Sequence, residues 1–494
     1  MERKKAIVIG AGFSGIAAAT SLAVEGFDVT VLEKNSTPGG RARYFEEEGH
    51  VFDMGPSWYW MPDVFDRYFE RFGAKTADYY DLKRLDPSYS VFFGQQDRMD
   101  IPAKLEALCE LFESYEQGSG ARLKEFLKQA AYKYEVGIND LVYKPGRSIT
   151  EFMSPSLLLD MLRMDIFQSF HKHIRKFFSN EKLLKLMEFP ILFLGATPQN
   201  TPALYSLMNY ADISLGTWYP MGGMFKIVEG MVSLAKKNGV NFLYDHAVSG
   251  YQMEGNRIVS VQTSKGSYDA DIVIGGADYH HMETKLLPKE FQSYSKGYWD
   301  SRVMAPSSLL FYLGLNKKLE GVSHHMLFFD EDFGKHAEEI YEKPQWPTKP
   351  LFYASVPSVT DPSVAPEGKD TMFVLIPTAP GLEDSEEVRE KYFDVVMDRF
   401  ERLTGNTVRD AITIKRTYAH RDFVQDYNAF KGNAYGLANT LRQTAILKPS
   451  LKSKKVSNLY YTGQLTTPGP GVPPSLISGQ VVAKEVQKAF NTTK

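Results

Sequence analysis

The sequence predicts an α/β plus α+β protein: a Rossmann-type dinucleotide-binding domain built from separate stretches of chain, a mixed-sheet domain and a helical subdomain. Three observations predict it. The apolar run Ala6-Ile7-Val8-Ile9 leads directly into Gly10-Ala11-Gly12-Phe13-Ser14-Gly15 and an alanine-rich helical stretch. Strand-like runs of the same kind recur at residues 270–275 and 458–463, in the middle and at the end of the chain. Between them, residues 303–330 and 351–379 alternate as strands of a mixed sheet do. With 494 residues the chain exceeds one ordinary domain. The expected division is 1–75, 225–290 and 455–494 for the dinucleotide domain, 76–110 and 291–454 for the mixed sheet, and 111–224 for the helical part.

Taken in order, residues 16–25 have helical spacing, with Ala17, Ala18 and Ala19 where a helix must approach a sheet closely, and Gly26 ends them. Asp28-Val29-Thr30-Val31-Leu32-Glu33 is the next strand, completing a βαβ opening. Residues 44–102 mix short strands with an amphipathic helix near 63–72. Residues 104–142 and 149–194 read as helical, and 216–224 as a loop rich in aromatics and glycine. A helix at 225–238 precedes short strands at 241–248, 250–253, 257–263 and 267–268. A charged amphipathic helix spans 386–403, and a Gly/Pro turn leads to a closing helix at 476–490.

The first glycine turn matches GxGxxG in the context that gives the motif its meaning: after a buried strand, opening a helix, with Glu33 ending the following strand. Gly10 permits the tight turn, Gly12 lets backbone N–H groups reach a pyrophosphate, and Gly15 allows close helix–strand packing. The helix N-terminus adds partial positive charge against phosphate. Glu33 can accept from ribose hydroxyls, and an acid there disfavours a 2′-phosphate. FAD rather than a nicotinamide is indicated by Pro38-Gly39-Gly40-Arg41-Ala42-Arg43, where paired glycines and a fixed cation offer a second grip on the diphosphate. Asp53-Met54-Gly55-Pro56-Ser57 is a small-residue turn against which a ring could lie, flanked by Trp58, Tyr59 and Trp60 as candidate cavity aromatics. At the other end, residues 461–475 leave a strand, turn on Pro468-Gly469-Pro470-Gly471 and enter a helix through Pro473 and Pro474, where proline costs least. That helix N-terminus can face the flavin pyrimidine ring.

Composition excludes several classes. The formal net charge of −3 argues against a nucleic-acid partner. Cys109 is the only cysteine, which excludes an internal disulfide or a CxxC pair and suits a reducing cytoplasm. No leader peptide is read, and no run of about 18 uncharged apolar residues predicts a transmembrane helix. The pairs His171/His173, His280/His281 and His324/His325 lack the spacing and acidic company of a metal site, so none is expected.

Together the GxGxxG–Glu33 unit, the Gly39-Gly40-Arg41-Ala42 box, Gly55-Pro56-Ser57, Gly216-Thr217-Trp218-Tyr219-Pro220-Met221-Gly222-Gly223-Met224 and Pro468-Gly469-Pro470-Gly471-Val472-Pro473 resemble bacterial-type phytoene desaturases, FAD-dependent carotenoid desaturases within the amine-oxidase-like flavoproteins. The resemblance runs from the first strand to the last helix. It implies FAD contacts at Gly10, Gly12, Phe13, Ser14, Gly15, Glu33, Lys34, Gly40, Arg41, Gly55, Pro56, Ser57, Val248, Gly463, Gln464 and Gly471, with Val472 near the ring and the Val248 backbone reading adenine. Many members carry small residues and a Thr-His pair where this chain has Gln464, Leu465, Thr466 and Thr467, so substrate or regiochemistry is expected to differ.

The implied reaction is desaturation of an acyclic carotene such as phytoene, with hydride passing to flavin and a proton lost from the adjacent carbon. Alternatives are a C-3,4 desaturase of a hydroxylated or monocyclic carotenoid, a flavin amine oxidase, and a prenyl-protein escort without redox chemistry. The flavin would be reoxidised by oxygen or a quinone. No catalytic acid or base stands out; Arg147 and the 418–421 segment are candidates for the substrate end. A carotenoid offers almost no polar handle, so its binding rests on apolar burial. Phe152, Leu157, Leu158, Leu159, Met161, Leu162, Phe167, Phe170, Phe177, Phe178, Leu183, Leu184, Leu186, Phe189, Ile191, Leu192, Phe193 and Leu194 crowd one region, interleaved with His171, Lys172, His173, Arg175, Lys176, Lys182 and Lys185. That pattern predicts a helical patch at a membrane interface, and hence a cytoplasmic enzyme bound peripherally to the membrane surface.

Overall fold

The computed structural model describes residues 3–152, 168–192, 197–440 and 443–491. Its first sheet is five-stranded and wholly parallel, in spatial order Leu459–Tyr461, Ile272–Gly275, Lys5–Ile9, Asp28–Leu32 and Asn241–Leu243. Strands from the start, middle and end of the chain thus lie side by side. The central strand is apolar at consecutive positions because both its faces are covered. Ala6 and Val8 join the core that holds the first helix, Phe13–Val24, and the last, Val472–Asn491; Ile7 and Ile9 join a second core with Tyr251, Ile258 and Val261 of an antiparallel three-stranded sheet.

The second large sheet has seven strands, ordered Ile412–Tyr418, Ser307–Leu315, Asp370–Thr378, Phe352–Ser355, His325–Phe328, Tyr89–Gly94 and Asp97–Ile101. All its pairings are antiparallel except that of His325–Phe328 with Tyr89–Gly94. Ser307–Leu315 is buried throughout, and its alternate side chains serve different cores. Leu309, Phe311, Leu313 and Leu315 pack under the helix Glu386–Thr404, while Leu310 and Tyr312 face the core shared with the first domain. Ser385 caps that helix by accepting from the Val388 N–H, and Gly405 ends it at φ +76°.

Several expectations change. Residues 104–142 form two helices, Leu105–Tyr115 and Ser119–Val136, because Gly118 takes φ +77° between them. Within the expected 216–224 loop, Trp218–Pro220 is a strand paired with Leu82–Arg84. The closing helix begins earlier, at Val472, with both prolines in its first turn. In the 149–194 region the described helices are Phe170–Ile174 and Glu181–Leu192, and Phe170, Phe178, Leu183, Leu186, Phe189 and Ile191 are buried in the largest core. These apolar side chains face inward, with Lys172, Arg175 and Lys176 in solvent. Leu157, Leu158, Leu159, Met161, Leu162, Phe167, Phe193 and Leu194, and the side chains of Phe152 and Leu192, lie outside the described residues. No described helix is long and apolar enough to cross a membrane.

Candidate functional site

A cavity of about 590 Å³ lies between the two large sheets, within the range of roughly 300–1,000 Å³ typical of ligand sites. The fold brings Gly10, Gly12, Phe13, Ser14, Glu33, Lys34, Gly40, Arg41, Gly55, Pro56, Ser57, Val248, Gly463, Gln464, Gly471 and Val472 to its wall. Gly15 is the exception. A Cβ there would overlap the Gly10 carbonyl oxygen and meet Val8 at 3.5 Å, so this glycine packs helix on strand.

At the polar end, the first helix has Gly12 as its N-cap and no side chain capping its free N–H groups. A Cβ on Gly12 would meet nothing within 4 Å, so the turn presents bare backbone to open space. Glu33 ties the end of its strand to this turn. Its Oε2 accepts from the Ala11 N–H at 2.7 Å, and its Oε1 accepts from the Asn35 N–H at 2.9 Å and side-chain amide at 3.0 Å. One lone pair remains on Oε2 for a further donor. Arg41 donates from Nη2 to the Asn433 carbonyl at 3.2 Å and lies over the Tyr427 ring at 5.1 Å. Its Nε is buried without a hydrogen-bond partner. Burial lowers the guanidinium pKa, opposed by Asp278. The Asp278 carboxyl is pushed up to about 6 by burial, against N–H donation from His281 and Phe430 and the pull of Arg41. A bare helix N-terminus, a glycine cradle and a buried cation with a spare donor fit the diphosphate of a dinucleotide.

The second helix N-terminus reaches the same cavity through Gly471, Val472, Pro473 and Pro474. Ser478 pins the preceding turn, donating to the Thr467 carbonyl at 2.8 Å and accepting from the Gly463 N–H at 3.0 Å.

Beyond these residues the wall becomes apolar. Trp58 and Trp60 line it, together with Leu310, Leu327, Phe329 and Ile340. Tyr59 does not; it is buried against Phe65, its hydroxyl bonded to that of Tyr80 at 3.0 Å. The polar groups here are mostly spoken for. The Tyr353 hydroxyl pairs with His325 Nδ1 at 2.6 Å, and the His325 ring stacks on Trp58 with centroids 4.2 Å apart. His336 Nδ1 accepts from the Leu351 N–H at 3.0 Å, so Nε2 carries the proton that reaches the Pro377 carbonyl at 2.9 Å. Burial holds this imidazole neutral, its pKa lowered to about 4.

Comparison with known proteins decides the family. The model of the flavin-containing amine oxidoreductases matches residues 13–487. The chain belongs to that family. It is 40% identical to a carotenoid 3,4-desaturase of Haloarcula japonica, over 97% of each chain. It is 31% identical to a zeta-carotene-forming phytoene desaturase of Myxococcus xanthus, over 98% of this chain and 94% of the other. Among solved structures, an oxidoreductase from Methanosarcina mazei aligns with a TM-score of 0.62 at 17% identity, covering 97% of this chain and all of the other. Putrescine oxidase bound to putrescine aligns at 0.61 and 13%, covering 99% of each. These last two share the fold. As a member of this family the protein is an FAD-dependent oxidoreductase, and the resemblance read from its motifs holds over its length.

Two substrate-end candidates are not at this cavity. Arg147 pairs with Glu485 in a separate surface cleft. Arg421 is tied to Asp384 and Glu386, and Tyr418 donates to Asp426 at 2.9 Å. Of the histidine pairs, His171 is engaged with Glu188, His173 lies beside Lys133, His280 stacks on Phe430 at 3.9 Å, and His281 lines the cavity. The sequence reading missed the helix Phe333–Tyr341, which puts Phe333, His336, Ala337, Ile340 and Tyr341 on the cavity wall. The signal was present: these residues fall at i, i+3, i+4, i+7 and i+8 after Asp332, which caps the helix by accepting from the Lys335 N–H at 2.8 Å. It also missed Asp278, which pairs electrostatically with Arg41 across about 240 residues of chain and has no local signature.

Proposed function

We propose that the protein desaturates a carotenoid, removing hydrogen from two adjacent saturated carbons to form a double bond. One observation carries the reading: the dinucleotide groove opens into an extended apolar wall, and among the described residues the side formed by the seven-stranded sheet and the helix Phe333–Tyr341 contributes no carboxylate. A long hydrocarbon suits that wall; an amine substrate would want a carboxylate near its cation. The relatives named for carotenoid and phytoene desaturation support the same choice.

Bound FAD supplies a hydride acceptor. The chain does the rest. We assign the diphosphate to the N–H groups at Gly12, Phe13 and Ser14 and to Arg41, the ribose to Glu33, the adenine to the Val248 backbone, and the ring to Gly55, Pro56, Ser57, Gly463, Gln464, Gly471 and Val472. Gly10, Gly15, Lys34 and Gly40 shape or flank these contacts. Each Å² of substrate carbon buried on the wall contributes roughly 25 cal/mol and excludes water. As hydride leaves one carbon and a proton leaves its neighbour, conjugation in the polyene spreads the developing allylic charge. Little acid–base help is then needed, and we assign no catalytic acid or base.

The lead substrate is an acyclic carotene such as phytoene; C-3,4 desaturation of a hydroxylated or monocyclic carotenoid is the second reading, favoured by the 40% identical relative. Because such substrates dissolve in lipid, we place the enzyme peripherally at the cytoplasmic membrane surface, with oxygen or a quinone as final acceptor. The division into dinucleotide (1–75, 225–290, 455–494), substrate (76–110, 291–454) and helical (111–224) parts goes with this reading. The deciding experiment incubates flavin-loaded protein in liposomes with phytoene and with hydroxylated carotenes and follows product absorbance. A red shift is expected with at least one; none with any carotenoid defeats the reading.

A further inference from the structure

The apolar run around Phe170–Ile191 is core in its described part and offers no face to lipid. A different surface pairs exposed apolar side chains with cations. Ala445 takes φ +51°, a left-handed conformation that a residue with a Cβ rarely adopts, and the next two side chains, Ile446 and Leu447, stand 37% and 48% exposed. Val303, 44% exposed, is tied to the same segment, its N–H and carbonyl bonded to the Gln443 side chain at 2.9 and 2.8 Å. The other exposed large apolar side chains among the described residues are single valines.

Just beyond Leu447, Ser450 and Leu451 enter the surface cleft that holds Arg147. Lys452, Lys454 and Lys488 line that cleft with Arg147, against one carboxylate, Glu485, which is buried and shared between Arg147 and Lys488. Glu151, nearby, accepts from the Gly146 and Arg147 N–H groups at 3.0 Å each. Cations are therefore in excess. The apolar and basic parts adjoin: a Cβ on Gly146 would meet the Ala445 carbonyl carbon at 3.3 Å, and Arg147 comes next. Both are fastened to the turn that enters the cavity. Thr467 donates to the Pro145 carbonyl at 3.3 Å and Thr466 to the Pro449 carbonyl at 2.6 Å, and the turn runs on into Pro470, Gly471 and Val472 of the cavity wall.

We propose that Ile446 and Leu447, with Arg147, Lys452, Lys454 and Lys488, form the face by which the protein docks on an anionic lipid bilayer. Apolar side chains enter the interface while the cations pair with lipid phosphates. A soluble anion would use the cleft and leave Ile446 and Leu447 in water. The proposal rests on the membrane placement given with the desaturase reading, and names the face and the lipid charge it needs.

The test is co-sedimentation of the flavin-loaded full chain with carotenoid-free vesicles, either phosphatidylcholine alone or a two-to-one mixture with phosphatidylglycerol. Binding is expected to be at least about tenfold tighter on the mixed vesicles and to weaken as salt is raised. Lys452→Gln with Lys454→Gln, and separately Ile446→Ser with Leu447→Ser, should each weaken it about tenfold or more at unchanged flavin content. Hydrogen exchange of the wild type should slow across residues 445–455 on the mixed vesicles, which locates the face without any variant. Equal binding to both vesicles, protection confined to other segments, or folded variants that bind like wild type would each overturn the proposal. So would release by glycerol phosphate at matched ionic strength, which would assign the cleft to a soluble anion. Docking is read without turnover: a protein that binds mixed vesicles as expected yet desaturates no carotenoid defeats the desaturase reading and keeps this face, and turnover without charge-dependent docking does the reverse.

Discussion

Gly479 in the last helix rests on Ser14 in the first: a Cβ at Gly479 would overlap the Ser14 carbonyl oxygen and lie 2.8 Å from the Ala17 Cβ. The two helices that deliver their N-termini to one cavity are thus locked by backbone contact. Gly479→Ala must push them apart, and overpacking of this kind costs about 1–3 kcal/mol. We expect a lower Tm together with an at least tenfold weaker FAD affinity, measured by flavin fluorescence titration. A lower Tm with unchanged FAD affinity would show that the helix pair does not set the cofactor groove.

Gly12 and Gly15 belong to one motif but should fail differently. A side chain at Gly12 enters open cavity, so Gly12→Val is expected to fold with stability within about 0.5 kcal/mol of wild type yet retain at least tenfold less flavin. At Gly15 it strikes the Gly10 carbonyl, so Gly15→Val should lose stability by about 3 kcal/mol or more before any cofactor is added. Urea melts of the apo proteins separate the two, and equal melts would refute the distinction.

Arg41 has a spare buried donor and faces Asp278. Arg41→Met removes the cation and leaves that carboxyl uncompensated. The variant should bind FAD at least tenfold more weakly, while adding Asp278→Asn should restore stability but not cofactor affinity. A double-mutant cycle in both quantities checks this; recovery of FAD binding by the second change would contradict the assignment of Arg41 to the diphosphate.

Asp212 accepts from the Tyr89 hydroxyl at 2.8 Å and from the Thr217 hydroxyl at 3.2 Å, beneath Trp60 of the cavity wall. Burial raises its pKa to about 7. The folded protein then holds this proton up to about pH 7, the unfolded chain only to about pH 4. More protons are bound in the folded state across that window, so the stability due to this site falls as pH rises through it. Asp212→Asn, which stays neutral, should be more favourable relative to wild type at pH 8 than at pH 5, by on the order of 1 kcal/mol or more. Urea unfolding at the two pH values measures the difference, and an equal effect at both would rule out the buried titration.

The dinucleotide end was legible because its chemistry is local. Gly10, Gly12, Gly15 and Glu33 sit within one βαβ unit, where spacing alone dictates a bare turn, a helix N-terminus and an acid at the next strand end. The two-faced burial of Ser307–Leu315 was legible too, in the unbroken apolar run Leu309-Leu310-Phe311-Tyr312-Leu313, which the expectation of alternation over 303–330 passed over. The apolar run around Phe170–Ile191 has the composition of a membrane patch, and in its described part it is core. Hydrophobicity has no direction until neighbouring elements are in place.

By itself the sequence determined the cofactor class, the family resemblance and the glycine turn that makes a diphosphate site, because these depend on residues close in the chain. Only the tertiary structure decided that Gly479 joins the two helix N-termini, that Asp278 acts electrostatically on Arg41, that Arg147 and Arg421 stand away from the cavity, and that the helix Phe333–Tyr341 lines it. Each of these is a contact between distant segments, set by which surfaces pack together, and spacing along the chain carries no record of it.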